Sequence, residues 1–192
     1  SDVIKLGITT SESGGNTNRG ADQQESHEGT QTTEWQNVVM TWEDGEGFNL
    51  YIDGVLDEPT LAMQNTDGTT AMMDRFVLGD GAKAYWDGLI DEVAIWDKDL
   101  SEVEVSGLYN SGYGLDVSVS QYAYGAEKDL IGYWTMDEGS GSTVIDQSGN
   151  GKDGTIHGAQ WATDDGIHMM GRNGALIVDV FPNDPAAGVD TD

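Results

Sequence analysis

The apolar residues of this chain come in short runs, each soon closed by glycine or aspartate. VIKLGI (3–8), WQNVVMTW (35–42), FNLYIDG (48–54), RFVLGDG (75–81) and YWDGLIDEVAIWD (85–97) set the pattern, and GYWTMDE (132–138), TIHGAQW (155–161), IHMMG (167–171) and ALIVDV (175–180) continue it. FNLYIDG shows the period: Phe48, Leu50 and Ile52 fall on one face, Asn49, Tyr51 and Asp53 on the other. A period of two is that of a strand, and Asp53-Gly54 after it is a hairpin turn. One segment departs from the pattern. In DLSEVEVSGLYNSG (99–112), Ser101 is placed as a helix N-cap and Glu104 completes a capping box; Val105, Leu108 and Tyr109 form an apolar stripe, and Gly112 stands where a C-cap glycine belongs. Residues 9–33 are polar and read as a long loop or irregular hairpin. Many short strands, glycine turns and one short helix near 101–110 predict an all-β sandwich of antiparallel sheets.

Charge narrows the partners. The 192 residues carry 35 acidic against 8 basic side chains, a net of −27, and this repels nucleic acid phosphates and anionic membranes. It suits salty surroundings, divalent cations or neutral partners such as uncharged glycans. No apolar run approaches the ~18 residues of a membrane span. The N-terminus lacks the layout of a signal peptide and begins at Ser, as expected of a mature or excised piece. Cysteine is absent, which excludes disulfides and thiolate metal sites.

WQNVVMTWEDGEGFNLYIDGV followed by DGLIDEVAIWDKDLSEVEVSGLYNSG resembles the second half of a laminin-G-like, concanavalin A-like jelly roll. In that family a tryptophan-led strand precedes one ending in Tyr-x-Asp-Gly, and a closing Gly-x-x-Asp-Glu-Val strand leads into a short helix ending in Leu-Tyr. LIGYWTMDEGSGSTVIDQSGNGKDGTIHGA (130–159) is similar to the first half of the same family. The two halves stand in reversed order and are not repeats of each other. The expected organisation is a C-terminal half over 1–112, a connector over 113–129 with one weak strand at LDVSVSQYAY, an N-terminal half over 130–181, and an acidic tail over 182–192. A half sandwich leaves apolar faces and strand edges open. The chain is therefore the end of one module and the start of the next, a permuted domain, or a subunit completed by a neighbouring copy.

The best candidate for a cation site is the loop after Val144. Asp146, Ser148 and Asn150 stand at positions one, three and five, with Gly151 at six, the opening spacing of an EF-hand loop. His157 at position twelve and the absence of flanking helices rule out an EF-hand itself, but calcium is the expected cofactor, with Asp153 as a further ligand. The alternative is an Asx-type turn satisfied by its own backbone. Asp91 alternates with Leu89, Val93 and Ile95, so it faces the same way as apolar side chains and needs a partner. The resemblance places the Asp-Glu strand beside GYWTMDE, which brings Asp91 near Asp137 as additional metal ligands.

Catalysis finds no support in the motifs. Glucanases of this fold class carry alternating carboxylates on one strand, whereas Asp91 and Glu92 are adjacent. His27, His157 and His168 form no metal-ligand spacing, and no G-x-S-x-G is present. GDGAKA (79–84) formally matches a dinucleotide fingerprint, but a strand and not a helix follows it. For sugar stacking, Tyr85, Trp86, Tyr113 and Trp161 lie near glycines and turns, while Trp42, Trp96 and Trp134 sit inside apolar strands and read as core. The expected function is a non-catalytic, secreted or surface-displayed adhesion or carbohydrate-recognition module stabilised by calcium. Its partner would be a glycan or extracellular matrix component. The alternatives are a structural subunit of a sheath, array or filament that self-associates through half-domain complementation, and an accessory module of a polysaccharide-degrading enzyme.

Overall fold

The computed structural model describes residues 5–9, 21–25, 28–43, 47–57, 75–79, 86, 88–113, 115–120, 124–162, 168–170 and 175–179. Its strands pair antiparallel throughout, and one α-helix occurs among the described residues. The chain forms two compact units, one from residues 1–71 and 98–129, the other from 72–97 and 130–192.

In the first unit, β1 (Lys5–Thr9) and β2 (Ala21–Glu25) pair antiparallel, so residues 21–25 of the polar segment are a strand, while residues 10–20 lie outside the described residues. The strands β3 (Val38–Glu43), β4 (Gly47–Ile52) and β5 (Val55–Leu56) make a three-stranded sheet in that order. The turn between β4 and β5 is Asp53-Gly54, with φ of 52° and 74°. Both residues are left-handed, as a type I′ turn requires. Asp53 also closes the start of β3: its amide donates to the Asn37 carbonyl and its Oδ1 accepts from the Asn37 amide, both at 2.9 Å. Gly54 is needed for a second reason, because a Cβ there would stand 2.9 Å from the Cβ of Tyr109.

Tyr109 ends α1 (Glu102–Tyr109), and the expected capping box is present. The Ser101 Oγ accepts from the Glu104 amide, while the Glu104 carboxylate accepts from the Ser101 amide at 2.9 Å and its hydroxyl at 2.7 Å. Val105 and Leu108 are buried, as the stripe predicts. The C-terminus differs from expectation: Asn110, not Gly112, takes the left-handed cap at φ 45°, and its amide returns to the Ser106 carbonyl. Asn tolerates this conformation almost as glycine does, and so ends the helix two residues earlier. The segment expected as a connector is packed, with Val117, Tyr124 and Ala126 buried. No strand forms among its described residues. Asp116 instead ties residues 116–118 into a turn by accepting from the Ser118 amide and hydroxyl.

The second unit draws strands from both sequence segments. β6 (Arg75–Leu78), β7 (Leu89–Ile90) and β8 (Val93–Trp96) come from the first segment. The second contributes β9 (Leu130–Trp134), β10 (Thr143–Val144), β11 (Gly154–His157), β12 (Gln160–Ala162), β13 (His168–Met170) and β14 (Ala175–Asp179). β6 joins the sheet β10-β11-β14-β6, β7 joins β12-β13-β7, and β8 pairs with β9. These pairings cut across the boundary drawn at residue 112. The reason is edge completion: each strand from residues 75–96 satisfies a ladder that residues 130–179 alone leave open. Trp134, Met136 and Val144 form a buried core, against which Phe76, Leu78, Val93, Ile95, Ile156, Ala159 and Trp161 pack. The Trp134 ring stacks on Phe76 with centroids 6.3 Å apart and donates its Nε1 proton to the Lys152 carbonyl at 2.8 Å. It also lies over Gly132, where a Cβ would come within 2.3 Å of the indole. Glycine in mid-strand is therefore a condition for seating this tryptophan.

Candidate functional site

The loop at 146–153 follows β10 and returns to β11, and its centre is Asp146. This carboxylate is 8% exposed. Its Oδ1 accepts from the amides of Tyr133 at 3.0 Å and Ser148 at 2.9 Å, and its Oδ2 from the amide of Lys152 at 3.0 Å. Its own amide donates to the Asp153 Oδ1 at 3.0 Å. Burial pushes the Asp146 carboxyl up. Hydrogen bonds from the Ser148 side chain and from the amides of Lys152, Tyr133 and Ser148 outweigh that, so it lies below the usual carboxylate range.

Ser148 and Asn150 are engaged as well. Ser148 Oγ accepts from the Asn150 amide at 3.3 Å and from Asn150 Nδ2 at 3.1 Å, and that Nδ2 also donates to the carbonyls of Leu130 at 2.8 Å and Ile131 at 3.2 Å. Asn150 thus turns its nitrogen, not its oxygen, toward the strand. Gly151 holds φ 70°, which permits the reversal. The one-three-five oxygen spacing has folded into successive turns capped by backbone N–H groups. Calcium takes six to eight oxygens. A calcium ion bound through this face of Asp146 would compete with three of those donors. Among the described residues, no three His, Asp or Glu side chains gather closely enough to hold a metal ion. As folded, the donor set does not fit a calcium cage.

The other two expected ligands stand apart from this loop in character. β8 does lie beside β9, with Val93 opposite Trp134, as the resemblance implied. But residues 89–95 do not run as one strand. β7 ends at Ile90 and β8 begins at Val93 in a different sheet, with Glu92 at φ 52° between them. The alternation that aligned Asp91 with Leu89, Val93 and Ile95 is broken there. Asp91 is half-buried and Asp137 exposed. Glu92 accepts a hydrogen bond from the Tyr133 hydroxyl, and Glu138 accepts from the Ile145 amide at 2.7 Å. Tyr133 therefore joins both features, through its amide to Asp146 and its hydroxyl to Glu92. Sequence reading did not single it out, because a backbone donor leaves no signature in residue type.

The aromatic candidates divide. Tyr113 is 89% exposed beyond α1, in the first unit. Trp86 is 39% exposed in the second, its Nε1 donating to the Leu89 carbonyl at 3.3 Å. Trp161 is half-buried against the Trp134 core, and its Nε1 donates to the Gly141 carbonyl at 3.0 Å. Tyr85 lies outside the described residues, as does the Trp42 side chain. Trp134 is core as expected, while Trp96 is only half-buried.

Comparison with known proteins bears on the whole arrangement. The family model of the concanavalin A-like lectin/glucanases superfamily matches residues 5–106, just over half of the chain. The human (Homo sapiens) Adhesion G-protein coupled receptor D1 is 29% identical over 85 residues, covering 42% of this chain and 10% of the receptor. Its Bos taurus counterpart is 28% identical over 86 residues, covering 45% of this chain and 9% of the receptor. The chain thus spans about a tenth of the length of the curated relatives it matches. No solved structure matches it significantly.

Proposed function

The chain belongs to the concanavalin A-like lectin/glucanases superfamily, and from that premise we propose that it is a non-catalytic adhesion or carbohydrate-recognition module working outside the cell. The observation that carries this reading is the family match over residues 5–106, joined to two relatives whose names describe adhesion receptors. The antiparallel sheets and single short helix of the described residues are consistent with a jelly roll of that family. A fold of this kind hosts many functions, so the partner follows from chemistry and not from the fold. A net charge of −27 favours a neutral glycan or a cationic matrix surface over an anionic polysaccharide. Exposed Tyr113 and Trp86 supply faces of the type that stack on sugar rings. No helix among the described residues is long and apolar enough to cross a membrane.

The pairing of β6, β7 and β8 with strands from residues 130–179 supports completion of the fold within one chain over completion by a neighbour. That favours a recognition module over a self-assembling sheath subunit. The reading does not require calcium, since N–H donors already organise the Asp146 loop. A calcium-dependent rise in melting temperature, lost in Asp146→Asn, would restore the cation to the proposal. The deciding experiment combines sedimentation velocity over a concentration series with a neutral-glycan array. A monomer at all concentrations that binds a neutral oligosaccharide, with Tyr113→Ala or Trp86→Ala weakening binding, is the expected result. Concentration-dependent growth with no sugar bound overturns it in favour of the structural subunit.

A further inference from the structure

We propose that Asn150 is a site of spontaneous covalent modification whose conversion releases the 146–153 loop from β9. The amide nitrogen of Asn150 spans the gap between loop and strand: its two hydrogens serve three acceptors, the carbonyls of Leu130 and Ile131 and the Ser148 hydroxyl. Asn150 is exposed. The next residue is Gly151, in the left-handed region at φ 70°, and a Cβ built there would meet nothing within 4 Å. Glycine at 151 therefore puts no side chain beside the backbone nitrogen that follows Asn150.

That nitrogen can attack Cγ of Asn150. A new N–Cγ bond closes a five-membered succinimide, and the Cγ–Nδ2 bond breaks. The former side-chain nitrogen departs as ammonia, carrying the proton that the Gly151 amide gives up. Water then opens the ring at either carbonyl, leaving aspartate or, with an extra backbone carbon, isoaspartate. The only co-reactant is water, and nothing is oxidised or reduced. The amide is held by its three acceptors while the loop is closed, so the attack proceeds from the locally opened loop.

The product reverses the interaction. A carboxylate only accepts hydrogen bonds, so it faces the Leu130 and Ile131 carbonyl oxygens acceptor to acceptor. It also adds negative charge to a loop that already carries Asp146 and Asp153. The tie to β9 is lost, and isoaspartate further displaces the turn.

The sequence contains one other Asn-Gly pair, Asn173-Gly174, which serves as an internal reference. The full chain is aged in mildly alkaline buffer and sampled by tandem mass spectrometry. Melting temperature is followed in parallel in an Asn173→Gln variant, which leaves Asn150-Gly151 as the one Asn-Gly pair, and is compared with an aged Asn150→Gln, Asn173→Gln protein that carries the Asp-Gly background. The expected result is aspartate and isoaspartate at position 150 and a fall in melting temperature of roughly 5 °C. The unaged Asn150→Asp variant should melt correspondingly lower; should it fail to fold, the aged Asn173→Gln protein still gives the answer. Asn150 found intact after Asn173 has converted overturns the proposal, and so does conversion at 150 that leaves the melting temperature unchanged.

Discussion

Asp146 fixes a loop in the second unit and Glu104 the start of a helix in the first, by different means. Asp146 is enclosed, and its partners are neutral: three backbone amides and the Ser148 side chain. Glu104 stands at the first turn of α1 with a charged partner, the Lys98 ammonium, beside its capping hydrogen bonds to Ser101. Burial pushes both carboxyls up, and in both cases hydrogen bonds outweigh it and hold the group below the ordinary range. The lesson concerns acidity in a chain of this composition. With 8 basic residues for 35 acidic ones, most carboxylates cannot find a cation. A structural role then depends on aiming backbone N–H groups at the carboxylate, which the Asp146 loop does and the helix cap does only in part.

The sharpest way to break this contrast is Asp146→Ala. It leaves the Tyr133, Ser148 and Lys152 amides without their acceptor, and the expected loss is about 3 kcal/mol or more in chemical denaturation. A loss below about 1 kcal/mol would mean water replaces the carboxylate freely and that the loop has no organising centre. Gly132→Ala tests whether the loop depends on the tryptophan behind it. The added methyl displaces the Trp134 indole and with it the Lys152 carbonyl that the indole holds, at an expected cost of roughly 1–3 kcal/mol. Near-ultraviolet circular dichroism should report the moved indole. Ser101→Ala is the counterpart in the first unit, costing about 1 kcal/mol through loss of the cap.

The smallest and most discriminating effect is the response to pH and salt. Both carboxyls are depressed in the folded state. The stability they contribute is present above the unfolded carboxylate range near about 4, and is lost as pH falls through their lower folded values. Asp146→Ala should flatten the acid limb of the stability curve. Salt should weaken the Glu104–Lys98 pair, because Lys98 is exposed, and leave the amide-bound Asp146 nearly untouched. An Asp146 contribution that falls with salt as steeply as that of Glu104 would erase the distinction.

Much of this was legible in the residues, and the failures share a cause. The capping box at Ser101 and Glu104 and the Asp53-Gly54 turn read correctly because the side chains that form them lie within a few residues of each other. The end of α1 comes earlier than the glycine suggests because Asn110 turns left-handed before Gly112 does; both hold positive φ, and residue type does not say which of them caps the helix. The break at Glu92 was invisible, since an alternating pattern runs through it uninterrupted; only the transfer of neighbouring strands to different sheets requires the reversal. At the Asp146 loop the spacing marked Asp146, Ser148 and Asn150 as the side chains that shape the turn. It could not say whether a cation or N–H groups would meet them, because both demand the same side chains. The deciding donor, the Tyr133 amide, comes from thirteen residues away.

The ladder between β6 and β14 joins Leu78 to Leu176 and Arg75 to Asp179. During synthesis at about 5–20 residues per second, β6 leaves the ribosome several seconds before its partner exists. For that interval an apolar strand waits with its hydrogen-bonding edge open, at the stage when chains are most prone to pair with one another. A net charge of −27 on the chain opposes such pairing between copies.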